Sequence, residues 1–211
     1  MTTDTTDIAT RFGSGQSVKR LEDESLLKGT GQYTDDIAPE GQLRLCFVRS
    51  PYPHARIVSV DASAAKDMPG VVGVYTGAEL AAAGVKPIPG SANFKRAGGA
   101  PGATPDRRVL AHERVRHVGE AVAMVVAETM QQARDAAEAV YVEYEELPHV
   151  VGLNEATAAG APALRAQAPD NIAAEMRHGN EPATTAAFAA AAHVVKLNIT
   201  NQRVAALTIE P

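Results

Sequence analysis

The stretch from Val118 to Val142 constrains the fold more than any other part of the chain. Residues 121–127 read Ala-Val-Ala-Met-Val-Val-Ala, and such an apolar run of strand length is typical of a strand covered on both faces. Thr129 followed by Gln132 has the form of a capping box that opens a helix. We therefore predict a β-α-β unit, with a second strand over 140–145 and a right-handed crossover.

The residues before this unit carry weaker signals of the same two kinds. Apolar and polar positions alternate in several short runs, which favours strands. Asp61 is a suitable N-cap, and Thr76 with Glu79 forms a second capping-box pattern. These signals predict strands over 43–48, 56–60 and 71–75, and short helices that begin at Asp61 and Thr76.

After the unit, an alanine-rich segment predicts a helix that is capped near Thr184 and runs to Ala192. An alternating run over 194–199 predicts a further strand. Together these elements indicate an α/β (α+β) fold with a mixed sheet.

Two segments lack the apolar residues of a core. Residues 1–24 are polar, and we interpret them as an arm that is ordered only against something else. Residues 85–108 contain eight glycines and prolines. A loop of that length in a compact domain is expected to be mobile or held by a partner.

Composition excludes several classes of protein. The chain has 20 Lys plus Arg against 25 Asp plus Glu, a net charge of −5, which argues against a nucleic-acid-binding protein. The single cysteine excludes a disulfide framework and a cysteine-ligated zinc or iron–sulfur site held by this chain alone. The polar start and the absence of an apolar run of about 20 residues predict a cytoplasmic protein with no signal peptide and no membrane span.

No residue is assigned a catalytic, cofactor-binding or metal-binding role. The six histidines are scattered, and Cys46 lies within a predicted strand as a buried thiol. Gly13-Ser14-Gly15 lacks the rest of a phosphate-binding loop. Glu143 and Glu145 point the same way from a strand, which fits an acid–base pair and fits a solvated face better.

Two other features are richer in chemistry than an ordinary turn. The link between the first two strands combines two prolines with aromatic rings and arginines, and a Gly-Glu pair stands just before the buried strand. Each feature is either a tight turn held by hydrogen bonds or the wall of an interface or channel. The candidate interface residues are therefore Arg49, Tyr52, His54, Arg56, Gly119 and Glu120.

Seven short segments, taken in order, carry a resemblance that covers nearly the whole chain from Phe12. They are Arg20-x-Glu22-Asp23, Gly29-x-Gly31-x-Tyr33-x-Asp35-Asp36, Arg49-Ser50-Pro51 with His54-Ala55-Arg56-Ile57, Met68-Pro69-Gly70-Val71-Val72, Val118-Gly119-Glu120-x-Val122-Ala123, Tyr144-Glu145-x-Leu147-Pro148, and Asn201-Gln202-Arg203-Val204 running to Glu210-Pro211. The chain resembles the N-terminal part of the large, molybdopterin-binding subunit of the molybdenum hydroxylases. This family comprises xanthine dehydrogenase, aldehyde oxidase and aerobic carbon monoxide dehydrogenase.

The resemblance implies an α/β hammerhead domain. It also implies that the molybdenum cofactor and the catalytic residues belong to the region that follows the hammerhead, so this chain alone would bind no cofactor. The assembled enzyme would carry molybdenum–molybdopterin (in the cytosine dinucleotide form), 2Fe-2S clusters and FAD. The implied partners are a molybdopterin-binding subunit, an iron–sulfur subunit and an FAD subunit.

On this basis we divide the chain into an arm (1–24), a hammerhead domain (25–150), a linker (151–180) and the start of the molybdopterin-binding region (181–211). We expect a non-catalytic hammerhead subunit or fragment of an enzyme that oxidises aldehydes or N-heterocycles with water as the oxygen source. The alternative is a free-standing binding module with the same fold and no activity. An independent hydrolase would rest on Glu143 and Glu145 alone.

Overall fold

The structure is a computed structural model that describes residues 20–89, 94–105 and 107–201. The described residues belong to two compact units, one formed by 20–40 with 198–201 and the other by those between 41 and 197. Within these ranges, no helix has the length and apolarity needed to cross a membrane. The helices are α1 (Asp23–Leu27), α2 (Ser63–Lys66), α3 (Gly77–Ala82), α4 (Met130–Glu138), α5 (Leu153–Ala156) and α6 (Glu181–Ala190), and the strands are β1 (Arg44–Arg49), β2 (Ala55–Asp61), β3 (Val71–Thr76), β4 (Arg114–Val115), β5 (Ala121–Ala127) and β6 (Tyr141–Glu146).

The first sheet places the apolar strand β5 in the middle, with the order β1-β5-β3 and antiparallel pairing on both sides. Val122 and Val125 of β5 are fully buried, so the predicted covered strand is confirmed. Ala133 and Ala136 of α4 are also fully buried. These small side chains let the helix approach the sheet closely, and they form part of the core.

The second sheet has the order β4-β2-β6, again with antiparallel neighbours. The α/β class of the fold is confirmed, and strand, helix and strand do follow one another from β5 to β6. However, β5 and β6 lie in different sheets, so the predicted right-handed parallel crossover is wrong. All pairings between the described strands are antiparallel, which also corrects the predicted mixed sheet. Residues of β6 find their ladder partners in β2, from Asp61↔Tyr141 to Ala55↔Glu146.

Both capping boxes are confirmed. The Thr76 hydroxyl accepts a hydrogen bond from the Glu79 amide at 3.2 Å, and the Glu79 carboxylate accepts from the Thr76 amide at 2.7 Å. Thr129 and Gln132 make the same exchange at the start of α4. At α2 the N-cap position is Ala62 rather than Asp61. The Asp61 carboxylate still accepts from the Ser63 amide at 2.9 Å, from the residue just before the N-cap position.

The C-terminal elements differ from their predictions. Helix α6 begins at Glu181, because the Asn180 side chain accepts from the Ala183 amide at 3.0 Å and takes the capping role assigned to Thr184. Residues 194–199 form no strand. Their alternating pattern fits a sheet, but a strand needs a neighbour for its backbone hydrogen bonds, and the described chain offers none there.

The long loop is held by the chain's own linker. The Ala103 amide donates to the Ala173 carbonyl at 2.8 Å, and the Glu175 amide donates to the Lys95 carbonyl at 3.0 Å. An ion pair joins Arg96 to Asp170, and it lowers the pKa of the Asp170 carboxyl. The described part of 85–108 is therefore held by contacts within the chain. The sequence had predicted a loop that is either mobile or held by a partner, and it did not predict these internal contacts. Residues 90–93 and 106, like 1–19 of the arm, lie outside the described residues.

Candidate functional site

A charged cleft opens beside the start of β5. Its volume is about 560 Å³, which is within the range of small-molecule sites. The lining is unusual because six arginines converge on it from three parts of the chain, against only two glutamates, Glu113 and Glu120. The arginines are Arg49, Arg107, Arg108, Arg114, Arg116 and Arg165.

Two features that sequence alone left apart meet at this cleft. The Gly119 amide donates to the Ser50 carbonyl at 2.7 Å, and the Ser50 amide donates to the Glu120 carbonyl at 2.9 Å. The Arg49 guanidinium donates to the Gly119 carbonyl at 2.9 Å. Gly119 has φ +87°, in the left-handed region that favours glycine. The structure thus joins the end of β1 to the turn before β5, and it brings Arg49, Gly119 and Glu120 together.

Tyr52 and His54 lie inside the link between β1 and β2 rather than in the cleft. His54 is 4% exposed, and its Nδ1 lies 2.7 Å from the carbonyl oxygen of Pro148. The Tyr52 ring packs against that of Tyr144, with centroids 5.2 Å apart. Burial raises the pKa of the Tyr144 hydroxyl. These contacts hold the link between β1 and β2 in its conformation.

Arg56 lies on β2, where its register partner on β6 is Glu145. The two side chains form an ion pair, with Nε donating to Oε2 at 2.6 Å. On the same strand pair, the Ser59 hydroxyl donates to the Glu143 carboxylate at 3.2 Å. Glu143 and Glu145 are exposed and are engaged across the sheet, an arrangement typical of a solvated face.

The two glutamates of the cleft are turned towards other groups. The Glu120 carboxylate accepts a hydrogen bond from the backbone amide of Arg116 at 2.5 Å. Glu113 lies beside His112, with 3.3 Å between the imidazole Nε2 and the carboxylate. Burial, and after it the charge of Arg165, lowers the pKa of the Arg116 guanidinium. The shift therefore reflects first the partial burial of Arg116 and second the nearby charge of Arg165.

Sequence reasoning found only Arg49 among the six arginines. The others follow no periodic pattern, and Arg165 lies 49 residues or more from the 107–116 cluster in the chain. The pairs Arg107-Arg108 and Arg114-x-Arg116, close together before a buried strand, were the available signal. In the described part of the chain, no three His, Cys, Asp or Glu side chains are placed to hold a metal ion. We therefore derive no step through a metal.

Comparison with known proteins identifies the class. Residues 28–148 match the hammerhead domain of aldehyde oxidase and xanthine dehydrogenase, which agrees with two small antiparallel sheets and their packed helices. The fold is that of an α/β hammerhead domain. The chain belongs to the aldehyde oxidase and xanthine dehydrogenase family, that is, to the molybdenum hydroxylases.

Individual relatives extend the match beyond the domain. The chain is 39% identical over 203 residues to the nicotine 6-hydroxylase large subunit of Paenarthrobacter nicotinovorans, covering 95% of this chain and 24% of that protein. It is 37% identical to the carbon monoxide dehydrogenase large chain of Afipia carboxidovorans, with 91% and 24% covered. A solved structure of reconstituted carbon monoxide dehydrogenase from Oligotropha carboxidovorans matches with a TM-score of 0.70 at 36% identity, over 85% of this chain and 22% of that one. The chain thus spans about a quarter of the length of these relatives.

Proposed function

We propose that this chain is the non-catalytic hammerhead part of a molybdenum hydroxylase, and that it docks onto the region that carries the molybdopterin. One observation carries the proposal. Every residue from 181 to 201 is exposed, including Phe188 at 60%, Val195 at 90% and Leu197 at 78%. Several large apolar side chains left in water within one segment mark a contact surface.

The form of this segment fits insertion into a sheet. Residues 194–199 alternate between apolar and polar side chains but have no strand neighbour in the described chain. An extended segment of this kind is completed by pairing with another strand. The molybdopterin-binding region would supply that strand, either as a separate subunit or as a continuation of the same polypeptide.

The enzyme so formed would oxidise an aldehyde or an N-heterocycle, taking the oxygen from water. Molybdenum–molybdopterin, iron–sulfur clusters and FAD would supply the redox chemistry from the partner subunits. The relatives are named for substrates as different as nicotine, carbon monoxide and xanthine. Because they share this domain, we propose that the substrate pocket belongs to the partner region.

Arg49, Gly119 and Glu120 would face the seam between this chain and its partner, with Arg56 at its edge. Tyr52 and His54 would act indirectly, by holding the link between β1 and β2 in place. The arm at 1–24, the hammerhead at 25–150, the linker at 151–180 and the start of the molybdopterin-binding region at 181–211 remain the proposed division of the chain.

The first test is native mass spectrometry with metal analysis of the complex purified from its source. We expect an assembly that contains molybdenum, iron and flavin. A bare monomer of 22.1 kDa without metal would contradict the proposal and would support the free-standing binding module.

A matched pair of variants tests the docking segment itself. Val195→Asp places a charge at a side chain that is 90% exposed, and Val151→Asp does the same at one that is 87% exposed outside the segment. We expect Val195→Asp to lower the molybdenum retained per chain after gel filtration, and Val151→Asp to leave it unchanged. Equal retention in both variants would show that the segment does not dock.

A further inference from the structure

The arginine cleft is a concentration of positive charge on an acidic chain. With the histidines neutral, six arginines against two glutamates leave its lining with an excess of four positive charges, whereas the whole chain carries −5. A cleft lined by one sign of charge focuses the field and raises the local concentration of counter-ions. This excess is not what a merely solvated surface of this chain would show.

Two of the guanidinium groups, those of Arg49 and Arg116, are oriented by backbone oxygens. Arg116 donates to the Leu164 carbonyl at 3.1 Å and to the Arg114 carbonyl at 3.3 Å, and Arg49 donates to the Gly119 carbonyl. Among the described residues, no carboxylate forms an ion pair with Arg49, Arg114 or Arg116. Each guanidinium has five N–H donors, so these carbonyls position the groups and leave donors for a ligand.

We propose that this cleft binds an oxyanion of the phosphate class that carries at least two negative charges, such as a diphosphate group on a small molecule. Arginine forks match the geometry of phosphate oxygens and bind them in a bidentate manner. One carboxylate would neutralise a quarter of the excess charge, whereas a diphosphate neutralises at least half of it. The volume of about 560 Å³ holds a ligand of this size. The cleft shares no residue with the exposed segment at 181–201, but its lining includes Arg49, Gly119 and Glu120, which we also place at the seam with the partner. The binding test therefore uses this chain without its partner.

The test uses the full chain and isothermal titration with inorganic diphosphate at a fixed ionic strength. Acetate, titrated under the same conditions, is the monocarboxylate probe. We expect diphosphate to bind and acetate to bind at least about tenfold more weakly, because acetate brings a single charge to the lining's excess of four. Equal affinity for the two probes, or no binding of diphosphate, would overturn the assignment.

Variants locate the binding within the cleft. Arg108 and Arg114 are both exposed, so Arg108→Gln with Arg114→Gln removes two charges without opening the core. We expect diphosphate affinity to fall about tenfold or more, since a charge-assisted hydrogen bond contributes roughly that factor. The double variant Arg134→Gln with Arg177→Gln removes two exposed charges outside the cleft and should keep the affinity of the native chain. A comparable loss in both double variants would show that diphosphate binds by overall charge and would refute the site.

A third pair separates geometry from charge. Arg108→Lys with Arg114→Lys keeps both charges but loses the bidentate fork. We expect an affinity between those of the native chain and the glutamine variant. An affinity equal to that of the native chain would contradict bidentate recognition.

Discussion

Replacing Gly77 by alanine tests the packing behind the cleft most directly, because two physical effects predict opposite signs. Gly77 is the first residue of α3 and is buried. Alanine is the better helix former by about 0.5–1 kcal/mol, so helix propensity alone predicts a more stable protein. The structure predicts the reverse.

The predicted cost comes from the backbone of Ala111. A Cβ atom on Gly77 would lie 2.1 Å from the Ala111 carbonyl oxygen and 2.6 Å from its carbonyl carbon, whereas ordinary contacts begin at 3.4 Å. The backbone at Ala111 must therefore move by more than 1 Å to restore an ordinary contact. This movement strains the hydrogen bond from the Ala111 amide to the Ala121 carbonyl, which is 2.8 Å long. Overpacking costs about 1–3 kcal/mol, and a backbone contact this short places the cost at the upper end, about 2–3 kcal/mol. After the gain in propensity is subtracted, we expect a net loss of about 1–2.5 kcal/mol in the free energy of unfolding.

Urea unfolding followed by circular dichroism measures this loss as a lower midpoint at an unchanged slope. The control is Ala82→Gly, at an exposed position of the same helix, which should cost about 0.5–1 kcal/mol through propensity. A Gly77→Ala variant as stable as the native chain, or more stable, would refute the close approach of α3 to Ala111.

Three further changes test other parts of the fold. Val125→Ala removes a fully buried side chain and should cost about 2 kcal/mol in urea unfolding, while Val58→Ala, at a side chain that is 44% exposed, should cost much less; similar losses would contradict the assigned core. The pKa of Glu79 lies below 4.5, chiefly because its carboxylate accepts from the Thr76 amide, so its contribution to stability is complete above pH 4.5 and is lost as the pH falls through the lowered pKa. The stability advantage of the native chain over Glu79→Gln should accordingly shrink between pH 6 and pH 3, and a constant difference would argue against the capping box. Asp170→Asn removes the ion pair with Arg96 and should speed amide exchange in the described part of the 85–108 loop; unchanged exchange would show that the backbone hydrogen bonds alone hold it.

The elements that were predictable are those decided by neighbours in the chain. The capping boxes at Thr76 and Thr129 need only residues three positions apart, and both form. The apolar run over 121–127 needs no partner to reveal that it is buried. The helix predicted to begin at Asp61 does form, but its N-cap position is Ala62. The Asp61 side chain accepts from the Ser63 amide from one residue before that position.

The pairing of strands was not predictable in the same way. The succession of β5, α4 and β6 is typical of a parallel crossover, yet β6 pairs with β2, about 85 residues away in the chain. Which sheet a strand joins depends on residues far apart in sequence, and its own alternation is identical in either case. The run over 194–199 also shows that pairing decides the outcome. Its pattern is typical of a strand, but it forms none because the described chain offers no neighbouring strand.

The cleft was not predictable either, because its arginines come from three parts of the chain that only the fold brings together. A net charge of −5 argues against binding along a nucleic acid, which needs a broad basic surface. It says nothing about a local excess of positive charge built from Arg49, the 107–116 cluster and Arg165. The cleft shares Arg49, Gly119 and Glu120 with the proposed seam but shares no residue with the exposed segment at 181–201, so variants at Val195 and at Arg108 with Arg114 can still separate the two proposals. Val195→Asp should lower the retention of molybdenum while leaving diphosphate affinity unchanged, and Arg108→Gln with Arg114→Gln should do the opposite. Loss of both properties in either variant would mean that one surface, rather than two, underlies them.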